Sequence, residues 1–114
     1  MISSDSIRGY NDVIILSILK EGDSYGYALS KKIRDRTNDI YAIKETTLYS
    51  ACTRLEKQGF IVSYAGELTH GKKRTYYQIS EKGNDYLLNK KIEWQQTKKV
   101  VNEFLEGGNE NEDN

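Results

Sequence analysis

A chain of 114 residues, 37% apolar and 30% charged, has room for one domain with a modest core. One cysteine, Cys52, and one histidine, His70, exclude a disulfide framework, a cysteine-rich zinc site and a two-histidine metal site, so no metal or other cofactor is expected. The formal charge is zero, but residues 1–80 carry twelve Lys and Arg against nine Asp and Glu, and residues 81–114 carry five against eight; a mildly basic body with an acidic tail allows nucleic-acid binding. No run reaches the roughly 18 apolar residues of a membrane span. Residues 1–5 lack the basic and apolar runs of a secretory signal. A cytoplasmic protein without a membrane partner is the expectation.

The first periodic segment, residues 10–20, holds Val13, Ile14, Ile15, Leu16, Ile18 and Leu19. Apolar residues on more than one face predict a central helix. Gly22 is placed to end it as a left-handed cap. Asp23-Ser24 offers an N-cap for a second helix over residues 25–37, with Tyr25, Ala28, Leu29 and Ile33 at helical spacing. Tyr25 and Tyr27 read as core and interface residues. A loop follows, in which Ile40-Tyr41 is expected to pair briefly as a strand. A third helix spans residues 45–58, with Leu48, Ala51, Cys52 and Leu55 as its apolar stripe and Gly59 as its stop.

The period then changes. Residues 60–64 and 75–79 are rich in β-branched and aromatic side chains and predict two strands. Residues 65–74 join them as a long polar loop with a basic end, Lys72-Lys73-Arg74. Tyr76 and Tyr77 alternate on a strand, so one of them packs inward. Ser80 is the N-cap of a last helix reaching residue 105, stopped by Gly107-Gly108. Residues 107–114 form an acidic tail expected to be disordered. Three helices, a hairpin and a long helix make an α+β, mostly α chain: a winged helix-turn-helix with a two-stranded wing and a long C-terminal dimerisation helix. The boundaries are 1–83 for the DNA-binding domain, 84–106 for the dimerisation helix and 107–114 for the tail.

In the last helix Leu87, Trp94 and Val101 recur every seven residues, with Thr97, Phe104 and Leu105 alongside. That is a narrow seam of the kind that associates helices. A helix over residues 84–106 spans about 35 Å, longer than a small winged-helix body can cover. The surplus predicts a symmetric homodimer.

Four segments resemble the PadR family of transcriptional regulators. Ile14-Ile15-Leu16-Ser17-Ile18-Leu19 leads to Gly22 and Tyr25-Gly26-Tyr27-Ala28-Leu29. Thr47-Leu48-Tyr49 precedes Arg54-Leu55-Glu56-Lys57-Gln58-Gly59-Phe60-Ile61. Gly71-Lys72-Lys73-Arg74 runs into Tyr76-Tyr77-Gln78-Ile79, and Ser80-Glu81-Lys82-Gly83 opens the last helix. The single C-terminal helix with Trp94 is similar to the small subfamily that includes multidrug-sensing repressors. Lys44 stands where the family often has a helix-capping polar residue, and Thr75 where it commonly has a base.

Together with the residues themselves, the resemblance implies a repressor that acts as a homodimer on a palindromic operator in double-stranded DNA. Thr46, Thr47, Tyr49, Ser50, Thr53 and Arg54 form the polar face of the third helix, and a major groove about 12 Å wide admits one such helix. Tyr49 and Thr47 suit phosphate contacts. Lys72, Lys73 and Arg74 put three positive charges at the wing, where each neutralised phosphate releases counterions. The resemblance further implies an effector site at the dimer seam, formed by Asp12, Val13, Leu87, Trp94, Lys98 and Val101. There a planar aromatic small molecule stacks between two indoles. Lys98 stands where the multidrug-sensing relative has an acid, which turns the preference from cations toward neutral or anionic planar compounds. Cys52 reads as a buried hydrophobe and His70 as a solvent-facing loop residue. No nucleophile–base pair, acidic metal cluster or phosphate loop is present, so no enzyme is expected. The alternative is a dimeric winged-helix module that binds a ligand or docks a protein without binding DNA.

Overall fold

The structure, a computed structural model, describes residues 2–66 and 71–107. His70 and the acidic tail from residue 108 lie outside the described residues. The elements are α1 (Ser4–Ile7), α2 (Asn11–Glu21), β1 (Ser24–Tyr25), α3 (Gly26–Arg36), α4 (Glu45–Lys57), β2 (Ile61–Ala65), β3 (Thr75–Ile79) and α5 (Glu81–Leu105). This is the expected winged helix, with a third short strand added to the hairpin. The short turn α1, capped by the Ser3 side chain on the Ser6 amide at 3.2 Å, adds to the expected elements.

Helix α2 is the hub. Ile15, Leu16, Ile18 and Leu19 are all buried, so adjacent positions on several faces find partners among α3, α4, β3 and α5. Gly22 ends the helix, its amide on the Leu19 carbonyl at 3.1 Å. It does so at φ 157°, ψ 156°, a fully extended geometry rather than the expected left-handed helical one. That extension delivers Ser24 and Tyr25 to the edge of β3, opposite Tyr77 and Tyr76. The sheet order is β1-β3-β2, all antiparallel. Asp23-Ser24 therefore does not cap α3. The cap position falls to Tyr25, whose side chain makes no capping bond. The edge of β3 takes up Ser24, which local preference assigns to the cap, and Tyr25, which it assigns to the helix, because each ladder hydrogen bond satisfies a backbone group otherwise left without a partner.

The expected strand at Ile40-Tyr41 is also absent. Asn38 and Asp39 take positive φ, 51° and 64°, and turn the chain. The Thr37 hydroxyl accepts the Tyr41 amide at 3.1 Å, and the Ile40 carbonyl accepts the Ile2 amide at 2.9 Å. Tyr41 and Ile43 drop into the core beside Leu48, Ala51, Cys52 and Leu55 of α4. Helix α4 ends as its glycine predicts. Gly59 sits at φ 80°, its amide on the Glu56 carbonyl and the Phe60 amide on the Leu55 carbonyl, at 3.0 and 2.9 Å. These are the two bonds of a Schellman closure. Because the Phe60 amide is spent there, β2 begins one residue later than expected.

In the wing, Ile61 pairs with Ile79, Ser63 with Tyr77 and Ala65 with Thr75. Tyr77 faces the core and Tyr76 the outer surface. Ser80 caps α5 by accepting the Gly83 amide at 3.0 Å, and its hydroxyl donates to the Gly59 carbonyl at 2.6 Å. Gly83 is the only residue of α5 that is fully buried. A Cβ there would stand 2.1 Å from the Phe60 carbonyl oxygen and 2.9 Å from Ile79 Cγ1. The glycine lets α5 leave the body at close range, with Tyr86 stacked on Phe60 at 4.2 Å. Beyond Trp94, which meets Tyr10 at 5.3 Å, the helix projects, and the longest dimension of the molecule is 65 Å. No helix among the described residues is long and apolar enough to cross a membrane.

Candidate nucleic-acid interface

The buried stripe of α4 fixes which face of that helix looks outward. Leu48, Ala51, Cys52 and Leu55 point into the core, so Thr46, Tyr49, Ser50, Thr53 and Arg54 must point out. Together with Glu45 and Lys57 these residues form one open surface. Thr47 lies half-buried at its side. Tyr49 lies against Gly26 at the start of α3. The ring end rests close against the Gly26 backbone, where a Cβ would lie 2.3 Å from the hydroxyl.

Between α4 and the start of α2 runs a smaller groove of about 280 Å³, lined by Arg8, Asn11, Thr46, Thr47, Ser50, Ala51 and Arg54. Arg8 and Asn11 were not among the sequence candidates. No local pattern marks them, because they come near α4 only through the packing of α2. Arg8 pairs with Asp5 at 2.5 Å, both largely exposed.

The wing cations differ among themselves. Lys72 and Lys73 are exposed. Arg74 lies over the Tyr25 ring at 4.2 Å, half-buried, with its Nε enclosed and without a hydrogen-bond partner among the described residues. Tyr25 in turn packs on Tyr76 at 5.3 Å, and Tyr76 on Tyr64 at 5.8 Å. The Tyr64 hydroxyl donates to Asp23 at 2.5 Å, a bond that with burial pushes its pKa above the usual phenol value. The outer face of the sheet is thus an aromatic ladder that stiffens the base of the wing and draws one of its three charges inward.

The seam candidates are not gathered in one place. Leu87 is half-buried and packs on the chain's own core. Trp94 is 43% exposed and meets the edge of Tyr10 at 5.3 Å, 73° between planes. Lys98 Nζ stands 5.9 Å from the indole centroid. Val101 is exposed farther along the helix, beside Phe104 and Leu105. Val13 is half-buried on α2. Asp12 is not a free carboxylate. Its oxygens face the Arg54 guanidinium in an ion pair between Asp12 Oδ1 and Arg54 Nη2, with Nε 3.4 Å from Oδ2. That hydrogen bond raises the Arg54 pKa further. Burial pushes the Cys52 thiol up to about 11, so it stays protonated and unreactive near neutrality. Among the described residues no group of three or more His, Cys, Asp or Glu could hold a metal.

The model of the transcriptional regulator PadR-like family matches residues 15–89. The chain belongs to that family. As a PadR-like regulator it is a DNA-binding protein and not an enzyme. It is similar to a transcriptional regulator from Clostridium thermocellum, 60% identical with a TM-score of 0.85 over 92% of this chain and 99% of that one. A PadR family transcription regulator from Clostridium difficile is 42% identical, with a TM-score of 0.76 over 85% of this chain and 99% of the other. Bacillus subtilis PadR in complex with operator DNA shares the fold, with a TM-score of 0.65 and 20% identity over 75% of this PadR-like regulator and 48% of that chain.

Proposed function

We propose that this PadR-like regulator is a cytoplasmic repressor that binds a palindromic operator as a homodimer. Residues 1–83 serve as the DNA-binding unit, residues 84–106 as the dimerisation helix and residues 107–114 as a tail. The observation that carries the DNA reading is the outward face of α4 beside the exposed Lys72 and Lys73. Its threonine, serine and tyrosine hydroxyls offer both donors and acceptors, which base edges and phosphates require. The complex of Bacillus subtilis PadR with operator DNA supports the same use of the fold. Dimerisation is supported by the apolar row that α5 carries past the body, ending in Phe104 and Leu105 at 79% and 77% exposure. Two copies related by a two-fold axis cover such a row and present two α4 helices to a palindrome.

The experiment is a binding titration at several salt concentrations with Lys72, Lys73 and Arg74 replaced by Ala. Affinity should fall for all duplexes, and the salt slope should flatten by roughly 0.9 for each phosphate the wing no longer neutralises. Since Arg74 is stacked on Tyr25, the two lysines should account for most of the change. Unchanged affinity and slope would reject the wing as a phosphate clamp.

A planar aromatic effector at the seam is a second reading, supported by the half-exposed indole of Trp94. With Asp12 engaged by Arg54 and Lys98 over the indole, the surroundings favour a neutral or anionic ring system over a cationic one.

A further inference from the structure

We infer that Asp12 is a positioning residue for DNA recognition: it holds Arg54 in one orientation on the face of α4 and thereby sets how strongly the protein prefers its operator over other DNA. The inference rests on the DNA-binding reading above. Its basis is the ion pair that joins the first turn of α2 to the last turn of α4. Arg54 Nη2 donates to Asp12 Oδ1, and Nε lies 3.4 Å from Oδ2. Two oxygens against one edge of a guanidinium fix its plane, which a single contact would not. Asp12 is 19% exposed and Arg54 51%, so the carboxylate sits beneath the surface while the guanidinium reaches into it. The opposite edge of the guanidinium has no protein partner among the described residues and remains open to a nucleic acid.

The anchor is itself held. Just ahead of Asp12 in the chain, Tyr10 meets Trp94, and Asn11 Oδ1 accepts the Tyr41 hydroxyl at 2.6 Å. The first turn of α2 therefore grips α5, the loop before α4, and α4 itself with three consecutive side chains.

Two physical effects follow. A carboxylate in contact with a guanidinium cancels most of its pull on distant phosphates, so Arg54 adds little to sequence-blind binding. A guanidinium already fixed in plane loses less freedom on forming a directed bond, so it adds more where the geometry of the duplex fits. Both effects raise the ratio of operator to non-operator affinity.

The test uses the full chain, the duplex it selects from a randomised pool, and a scrambled duplex of equal length. Asp12→Asn should bind the scrambled duplex more tightly, with a salt slope steeper by up to about 0.9. It should gain nothing on the selected duplex, so the affinity ratio should fall at least fivefold. Arg54→Lys keeps the charge without the fork and should lower the ratio similarly. It alters an exposed side chain, so it decides the matter even where Asp12→Asn does not fold. In an Arg54→Ala background, Asp12→Asn should leave the ratio unmoved. A ratio within twofold of wild type in Asp12→Asn or Arg54→Lys would overturn the inference. An equal drop from Asp12→Asn in the Arg54→Ala background would also overturn it, leaving the pair as a strut between helices. A wild-type chain that selects no duplex would instead reject the DNA-binding reading.

Discussion

Replacing Gly83 by Ala tests the seat of α5 and separates two opposing effects. In an isolated helix, Ala is favoured over Gly by about 1 kcal/mol. In this protein the new methyl would stand 2.1 Å from the Phe60 carbonyl oxygen. A carbon–oxygen contact needs roughly 3.3 Å, so α5 or the Phe60 backbone must retreat by about 1 Å. The carbonyl cannot turn aside cheaply, because it accepts the Ser80 amide at 3.0 Å. Overpacking of this kind costs about 1–3 kcal/mol. Loosening the Phe60–Tyr86 stack costs about 0.5–1.5 kcal/mol more. After the propensity gain, a net loss of about 2 kcal/mol remains. For a domain of this size that lowers Tm by roughly 8–15 °C. Thermal unfolding followed by circular dichroism at fixed protein concentration measures it, with Asn89→Ala on the exposed face of α5 as the propensity control. A Gly83→Ala protein melting at or above wild type would show that α5 does not approach the body through this glycine.

Trp94→Asp should convert the proposed dimer to a monomer, since a carboxylate placed in the proposed apolar seam would cost several kcal/mol; light scattering that finds intact wild type monomeric would end the dimer reading. Trp94 is the only tryptophan, so a planar aromatic effector should quench its fluorescence saturably, and non-saturating quenching across charged and neutral compounds would remove the effector site. Cys52 makes stability depend on alkaline pH: its thiol titrates near 11 folded and near 9 unfolded. The native state then holds the proton longer, so stability is intact below pH 9 and falls as pH rises toward 11, by about 1.4 kcal/mol per unit. Urea unfolding should show that decline in wild type and a shallower one in Cys52→Ala between pH 9 and 10; equal slopes would mean the thiol is not buried.

Local pattern was enough for much of this chain. Helix α4 was legible because a stripe of Leu48, Ala51, Cys52 and Leu55 at helical spacing can be buried in only one way, and Gly59 supplies the geometry that ends it. The wing was legible because the period changes from helical to alternating at a defined point. The polar face of α4 and the basic end of the wing followed from the same arithmetic, since whatever is not buried must face outward. Outside residues 1, 67–70 and 108–114, which the structure does not describe, some differences are local, as at the Asn38-Asp39 turn and the Gly59 closure, and the others share one cause. Ser24 reads locally as a helix cap and Tyr25 as the first residue of the helix, yet they complete a sheet, because the edge of β3 that they meet lies about 50 residues away in sequence. Nothing in residues 72–74 distinguishes Arg74 from the two lysines; the Tyr25 ring does, once β1 sets it beside β3. The same holds for Tyr10 on Trp94 and for Asp12 on Arg54. Periodicity and capping record what a residue does with neighbours a few positions away. Which distant side chain meets a half-exposed ring or a charge depends on how the helices pack, and that is decided by the shapes of the buried faces acting together.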